Sequence, residues 1–213
     1  MLGSLLKSCS TADVSFVGSS SATNSNSIDL TGISGLQTDD YVIFAFSDDN
    51  TTFSLSSSGW SGMSDDFPNS KLINDIRHIA GYKQMGDPVD TVVTVSTALD
   101  AGIAVAFRGI SNPPSLPTAS ESATSTNTFD VGSMSVAGEG SVSLIIAMHD
   151  EASATITGTP SGYTLAATAS SANNSMAMFY KLDVASGTEN PGAGVWSASS
   201  DSLYTAGYII APA

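Results

Sequence analysis

The stretch YVIFAF, residues 41–46, decides how this chain folds. Side chains along an extended strand point alternately to its two faces. Val42, Phe44 and Phe46 therefore share one face, and Tyr41, Ile43 and Ala45 share the other. Both faces are apolar. Such a strand belongs in the middle of a sandwich or beneath a second layer, because a strand with one solvated face alternates apolar with polar. Acidic doublets, Asp39-Asp40 and Asp48-Asp49, mark its two ends.

Outward from this strand the same texture continues. The runs TVVTVS (91–96) and GIAVAF (102–107) are joined by the turn-rich TALDAG, which predicts an antiparallel pair. SVSLIIAM (141–148) places Val142, Leu144, Ile146 and Met148 on one face, and LYTAGYII (203–210) is a further strand. Clusters of Gly, Ser, Asn, Asp and Pro separate the runs. A helical stripe appears only in NSKLINDIRHI (69–79), through Leu72, Ile73, Ile76 and Ile79, where a short helix or an irregular loop is expected.

The two halves of the chain read alike. IDLTGISGLQTDDYVIFAFSDD (28–49) has the pattern of FDVGSMSVAGEGSVSLIIAMHDE (129–151): short strand, small-residue turn, long apolar strand, acidic end. SSSGW (56–60) answers TPSGY (159–163), Tyr82-Lys83 answers Tyr180-Lys181, and IAVAFRGI (103–110) answers TAGYIIAP (205–212). Four features in one order predict a tandem repeat of about 85 residues. The expected divisions are an N-terminal arm and lead-in strand over 1–27, a first repeat over 28–112, a Pro/Ser-rich connection over 113–127 and a second repeat over 128–213. Units this small bury little surface alone. The fold class expected is all-β, an antiparallel β-sandwich, jelly-roll-like or immunoglobulin-like, built from both halves with little or no helix. A Tyr-Lys pair in both units reads as architecture: the ring faces the core and the lysine faces water or a partner.

Composition narrows the function. Ser and Thr make up roughly a quarter of the chain, yet regular apolar runs interrupt them, as a disordered segment would not allow. Twenty acids against six bases give a formal charge of −14. Nucleic acid and anionic membrane surfaces are thereby disfavoured as partners, since both are held mainly through Lys and Arg. Cys9 is the single cysteine, which rules out an intrachain disulfide and a Cys-based zinc site. The opening MLGSLLKSCS has too short an apolar run for a lipoprotein signal. It reads as an arm that docks through Leu2, Leu5 and Leu6.

No catalytic set emerges. His78 and His149 lie at different places in the two halves, outside any nucleophile-elbow or zinc-helix context, and read as solvated residues at strand ends. The four glutamates form no facing pair on a strand. Calcium at the acidic loops would require Asp65-Asp66 to meet Asp48-Asp49; the doublets read first as solvated loop acids, and no cofactor is expected. Trp60 and Trp196 are the residues for stacking on a sugar if exposed, whereas Trp60 and Tyr163, each following a turn glycine, also suit rings that cap a sandwich end.

The lead-in SFVGSSSATNSNSIDL, the YVIFAF strand, GW, the YK strand and AFRGI, followed by PSGYTL, FYKLD, SGTENPGAG and AGYIIAP, resemble duplicated β-sandwich virion proteins of tailed bacteriophages, particularly phages of marine bacteria. The resemblance spans nearly the whole chain after about residue 14. It implies a non-enzymatic structural protein on the particle surface, a capsid decoration (cement) protein or head fibre. Its implied partners are the major capsid protein and copies of itself in a homo-oligomer. The alternative it leaves open is a lectin-like module for host-surface glycans, with Trp60 and Trp196 as contacts.

Overall fold

A computed structural model describes residues 13–49, 51–64, 66–73, 75–110, 118–122, 126–200 and 202–213. In the first half the strands are β1 (Ser15–Asp29), β2 (Tyr41–Asp49), β3 (Ser61–Gly62), β4 (Lys71–Ile73), β5 (Ile76–Gln84) and β6 (Val92–Arg108). Next come β7 (Thr118–Ser122), β8 (Thr126–Phe129), β9 (Met134–Val136), β10 (Ser141–His149) and β11 (Ile156–Gly158). The last are β12 (Thr164–Ser170), β13 (Ser175–Val184), β14 (Gly187–Glu189), β15 (Gly194–Ser200) and β16 (Leu203–Ile210). One turn of 3₁₀ helix, Leu30–Gly32, is capped by the Asp29 carboxylate, which accepts from the Thr31 N–H.

Two main antiparallel sheets result, and the molecule is all-β. The first has the order β1-β6-β2-β5-β3, with β4 also on β5; the second has the order β12-β13-β10-β16-β7. The strand in the middle of each is the long apolar run of its half, β2 or β10. It lies between the Tyr-Lys strand (β5 or β13) and the last long strand of the half (β6 or β16).

Burial explains why the central strands are apolar on both faces. The two sheets face each other across a shared core. Ile43, Ile103, Val105 and Phe107 come from the first sheet; Leu144, Ile146, Met178 and Tyr208 come from the second. The opposite face of each sheet is covered by its own half. Val42, Phe44 and Phe46 pack outward on Ile28, Leu30, Phe53 and Trp60. Ile145, Ala147 and Phe179 pack on Phe129, Val131 and Trp196, which belong to the β8, β15 and adjoining loop layer. Four layers of cover therefore close three apolar interiors. Contacts between the halves extend to the rims: Phe16 stacks on Tyr180 (centroids 4.3 Å apart) and His78 stacks on Tyr204 (4.1 Å).

Three local expectations change. The runs over 92–107 do not pair with each other as a hairpin but belong to one element, β6. The register breaks where Ser25 pairs Leu99 and Ser27 pairs Thr94, and there the β1–β6 ribbon folds over, bringing the Asp29 carbonyl within 2.6 Å of Ser20 Oγ, nine residues back. In place of a helix or loop, residues 71–73 and 76–79 are strand: β4 and β5 pair antiparallel with Ile73 opposite Ile76. Strand alternation sends Ile76 to the shared core and Ile79 to the outer one, and leaves Leu72 exposed, which a helical stripe would not do. The connection over 113–127 contributes structure as well, since Thr118–Ser122 pairs with β16.

Candidate functional site

The twin Tyr-Lys segments build two matching stations. Gly59 (φ +80°) and Gly162 (φ +77°) each turn the chain through the left-handed region and deliver the next residue, Trp60 or Tyr163, over the outer face of a sheet. Lys83 stands 5.9 Å from the Trp60 ring centroid and donates to Asp90 at 2.6 Å. Lys181 stands 6.0 Å from the Tyr163 ring and donates to both Glu189 oxygens at 2.9 and 3.0 Å. Tyr82 and Tyr180, one residue earlier and so on the opposite face, pack against the shared core. The aromatic partner was legible from Gly-Trp and Gly-Tyr. The acids were not, because Asp90 comes from a loop and Glu189 from the short strand β14, at different spacings from their lysines.

The second station brings together a serine, a tyrosine and a lysine, types that elsewhere perform nucleophilic chemistry. Here they are tied up. Ser143 and Tyr163 hydrogen-bond to each other in the interior. Burial pushes the Tyr163 phenol well above its ordinary range, so it keeps its proton and makes a poor base. Lys181 is committed to Glu189. The set locks the outer layer to the sheet.

Trp60 and Trp196 do not present rings to solvent. They are 7% and 1% exposed, Trp60 against Phe44 and Trp196 against Phe129 and His149. Each side chain finishes an outer core, so the exposure that sugar stacking requires is missing at both positions. The histidines are also interior rather than solvated. His149 donates through Nε2 to the Ala198 carbonyl at 3.0 Å, and burial holds its pKa below the usual imidazole range. His78 is enclosed beside Tyr204.

Two doublets read as solvated acids have one buried member each. Asp40 is fully enclosed and accepts from Arg108 Nε and Nη2 at 2.8 and 2.9 Å, while the same Nη2 also reaches the Gly35 carbonyl. This bidentate fork fastens the entry of β2 to the exit of β6. Asp48 is buried too; burial is the main reason its pKa is raised, with the neighbouring Asp100 adding to it. Asp100 links the halves by accepting from Ser171 Oγ at 2.8 Å. Asp65 lies outside the described residues, and among those described no group of three His, Cys, Asp or Glu side chains gathers as a metal site. Leu2, Leu5 and Leu6 also lie outside them.

What is left on the surface is a wall made by two sheet edges. Among the described residues β1 is paired only with β6 and β12 only with β13, and the two lie side by side where Ser19 Oγ donates to the Ala166 carbonyl at 2.8 Å. Residues 14–28 contain no charged side chain, and none occurs from Ala152 to Tyr180. No family model, curated protein or solved structure matches the chain.

Proposed function

We propose that this chain is a non-enzymatic structural component of a tailed-phage particle, a decoration (cement) protein on the capsid exterior whose partners are the major capsid protein and copies of itself. One observation carries the reading: the residues best suited to chemistry are used to fasten layers together. Lys83, Lys181 and Arg108 are spent on internal ion pairs, and Trp60, Trp196, Tyr163 and both histidines fill or border apolar interiors. A block of two sheets sharing one core resists deformation because every layer must open together. That property suits a part that braces a shell. The common order of the central strands supports descent of the two halves from one repeated unit. The acid-rich composition keeps such a part soluble and off nucleic acid.

The test is cryo-electron microscopy of the particle that carries the chain, together with co-sedimentation of chains lacking residues 1–10. Copies over the shell at capsomer junctions, lost when the arm is removed, are the expected result. Density at a tail tip, or on no particle, would sink the proposal.

A further inference from the structure

We propose that the outer edge of β1 is a self-association edge, where a second copy of this chain adds its own β1 antiparallel across a two-fold axis. Edge strands expose unpaired N–H and C=O groups, and proteins usually blunt them with charge, proline or a bulge. β1 carries neither charge nor proline from Ser15 to Ile28. It does carry bulges, between Phe16 and Gly18 and between Ser25 and Ser27, and Asn24 turns left-handed at φ +49°. Those features fence the edge rather than remove it. Between them Gly18–Thr23 runs in unbroken register against Ala106–Ala101, so one straight face six residues long remains. Among the described residues, no backbone hydrogen bond runs from this segment to anything but β6.

Charge selects the occupant. A cationic partner would be drawn to the acidic loops and has no reason to choose a neutral edge. A second copy, also at −14, is repelled elsewhere and can approach most closely where neither surface bears a charge. The β1–β12 wall supplies that surface. On β12 it also presents Leu165, 40% exposed and one of three large apolar side chains that reach solvent among the described residues. The segment SSSAT (19–23) can close on itself under a two-fold: Ser21 falls opposite Ser21 of the second copy with Ser20 opposite Ala22, and the small side chains let the strands close. The contact is short, so the dimer is reversible. Because the residual force between copies is repulsive, salt tightens the dimer, whereas it would loosen one held by ion pairs.

This inference rests on that part of the proposed function in which copies of the chain associate, and not on the particle itself. The experiment is sedimentation equilibrium of the full chain from about 1 µM to about 1 mM, at roughly 0.02 and 0.5 M salt, with amide exchange read over residues 18–23. The expected result is a dimer that strengthens with salt and protects these amides only as concentration rises. Ser21 is exposed, so Ser21→Asp should leave the melting temperature unchanged and weaken dimerisation about tenfold or more, by placing like charges across the axis. Ser21→Thr should dimerise as the parent does. A monomer at every concentration overturns the proposal. So does a Ser21→Asp dimer of parental strength, a dimer loosened by salt, or protection independent of concentration, which would mean that the chain's own residues or another partner cover the edge. A dimer that never sediments with particles would sink the decoration role alone, and a monomer that decorates them would sink this edge alone.

Discussion

Lys83 and Lys181 look interchangeable in the sequence, yet the acids they meet are not equally wet. Asp90 is 30% exposed, whereas the Glu189 side chain is 10% exposed. Removing a partner from a solvated acid costs little, while stranding a buried carboxylate costs much more. Lys83→Met should therefore lower stability by about 0.5–1 kcal/mol, and Lys181→Met by about 2–3 kcal/mol, both read from urea unfolding. Equal losses would show that the two stations are not distinguished by burial. Asp48 makes the opposite case. Its folded-state pKa lies above the unfolded value of 3.8, so its stabilising contribution is complete below that value and is lost as pH rises through the folded one. At neutral pH the buried carboxylate is a cost. Asp48→Asn keeps an oxygen for the Thr51 N–H and removes repulsion from Asp100. It should raise the melting temperature at pH 7 and lose that advantage as pH approaches 4. A gain that grows on acidification would contradict this account.

Among the elements, β6 shows where local signals and packing part. Its TALDAG segment has the letters of a turn, but Leu99, Ala101 and Gly102 pair with β1, and Ala101 and Gly102 also with β2, which draws its second half into the sheet. Gly102, inside that segment, is required for space rather than for turning. A Cβ there would sit 2.7 Å from the Phe46 ring. Strand propensity alone favours valine over glycine, whereas packing opposes it. Gly102→Val should cost about 1–3 kcal/mol by overpacking the outer core, while Gly86→Ala, with nothing within 4 Å of its Cβ, should be near neutral. Thermal unfolding separates the two accounts, because a stabilised Gly102→Val would favour propensity. The hairpin over β4 and β5 teaches the same lesson. A stripe of Leu72, Ile73, Ile76 and Ile79 satisfies a helical period, but two cores on opposite sides of one sheet satisfy it as well.

For the whole molecule the decisive fact is that the largest core belongs to neither half. Two units folded independently would melt independently, but sheets that share an interior lose it together. Trp60 reports the outer core of the first half and Trp196 that of the second. Neither indole N–H has a hydrogen-bond partner among the described residues, so Trp→Phe at each site leaves no polar group stranded. Fluorescence of Trp60→Phe and of Trp196→Phe should give one denaturation slope, with each midpoint matching the circular dichroism of the same variant. Leu144→Ala, in the shared core, should cost about 2–5 kcal/mol and move the signals of both tryptophans equally. Midpoints that split would mean that the halves hold together only weakly.

The sequence by itself determined the all-β class, the central strands with two apolar faces, the paired Gly-aromatic and Tyr-Lys features and the excess of acidic over basic residues. These are local properties of alternation, turn chemistry and charge, and no partner strand is needed to read them. Tertiary structure alone decided which face of each strand meets the other half. Val42, Phe44 and Phe46 turn outward while Val142, Leu144 and Ile146 turn inward, although both sets alternate alike. It also decided that Asp40, Asp48, His78 and His149 are interior and that Trp60 and Trp196 are closed off. Burial of a polar or aromatic side chain depends on what is folded over it from residues far along the chain. Alternation fixes the side of the strand, and only the completed stack of layers fixes whether water is there.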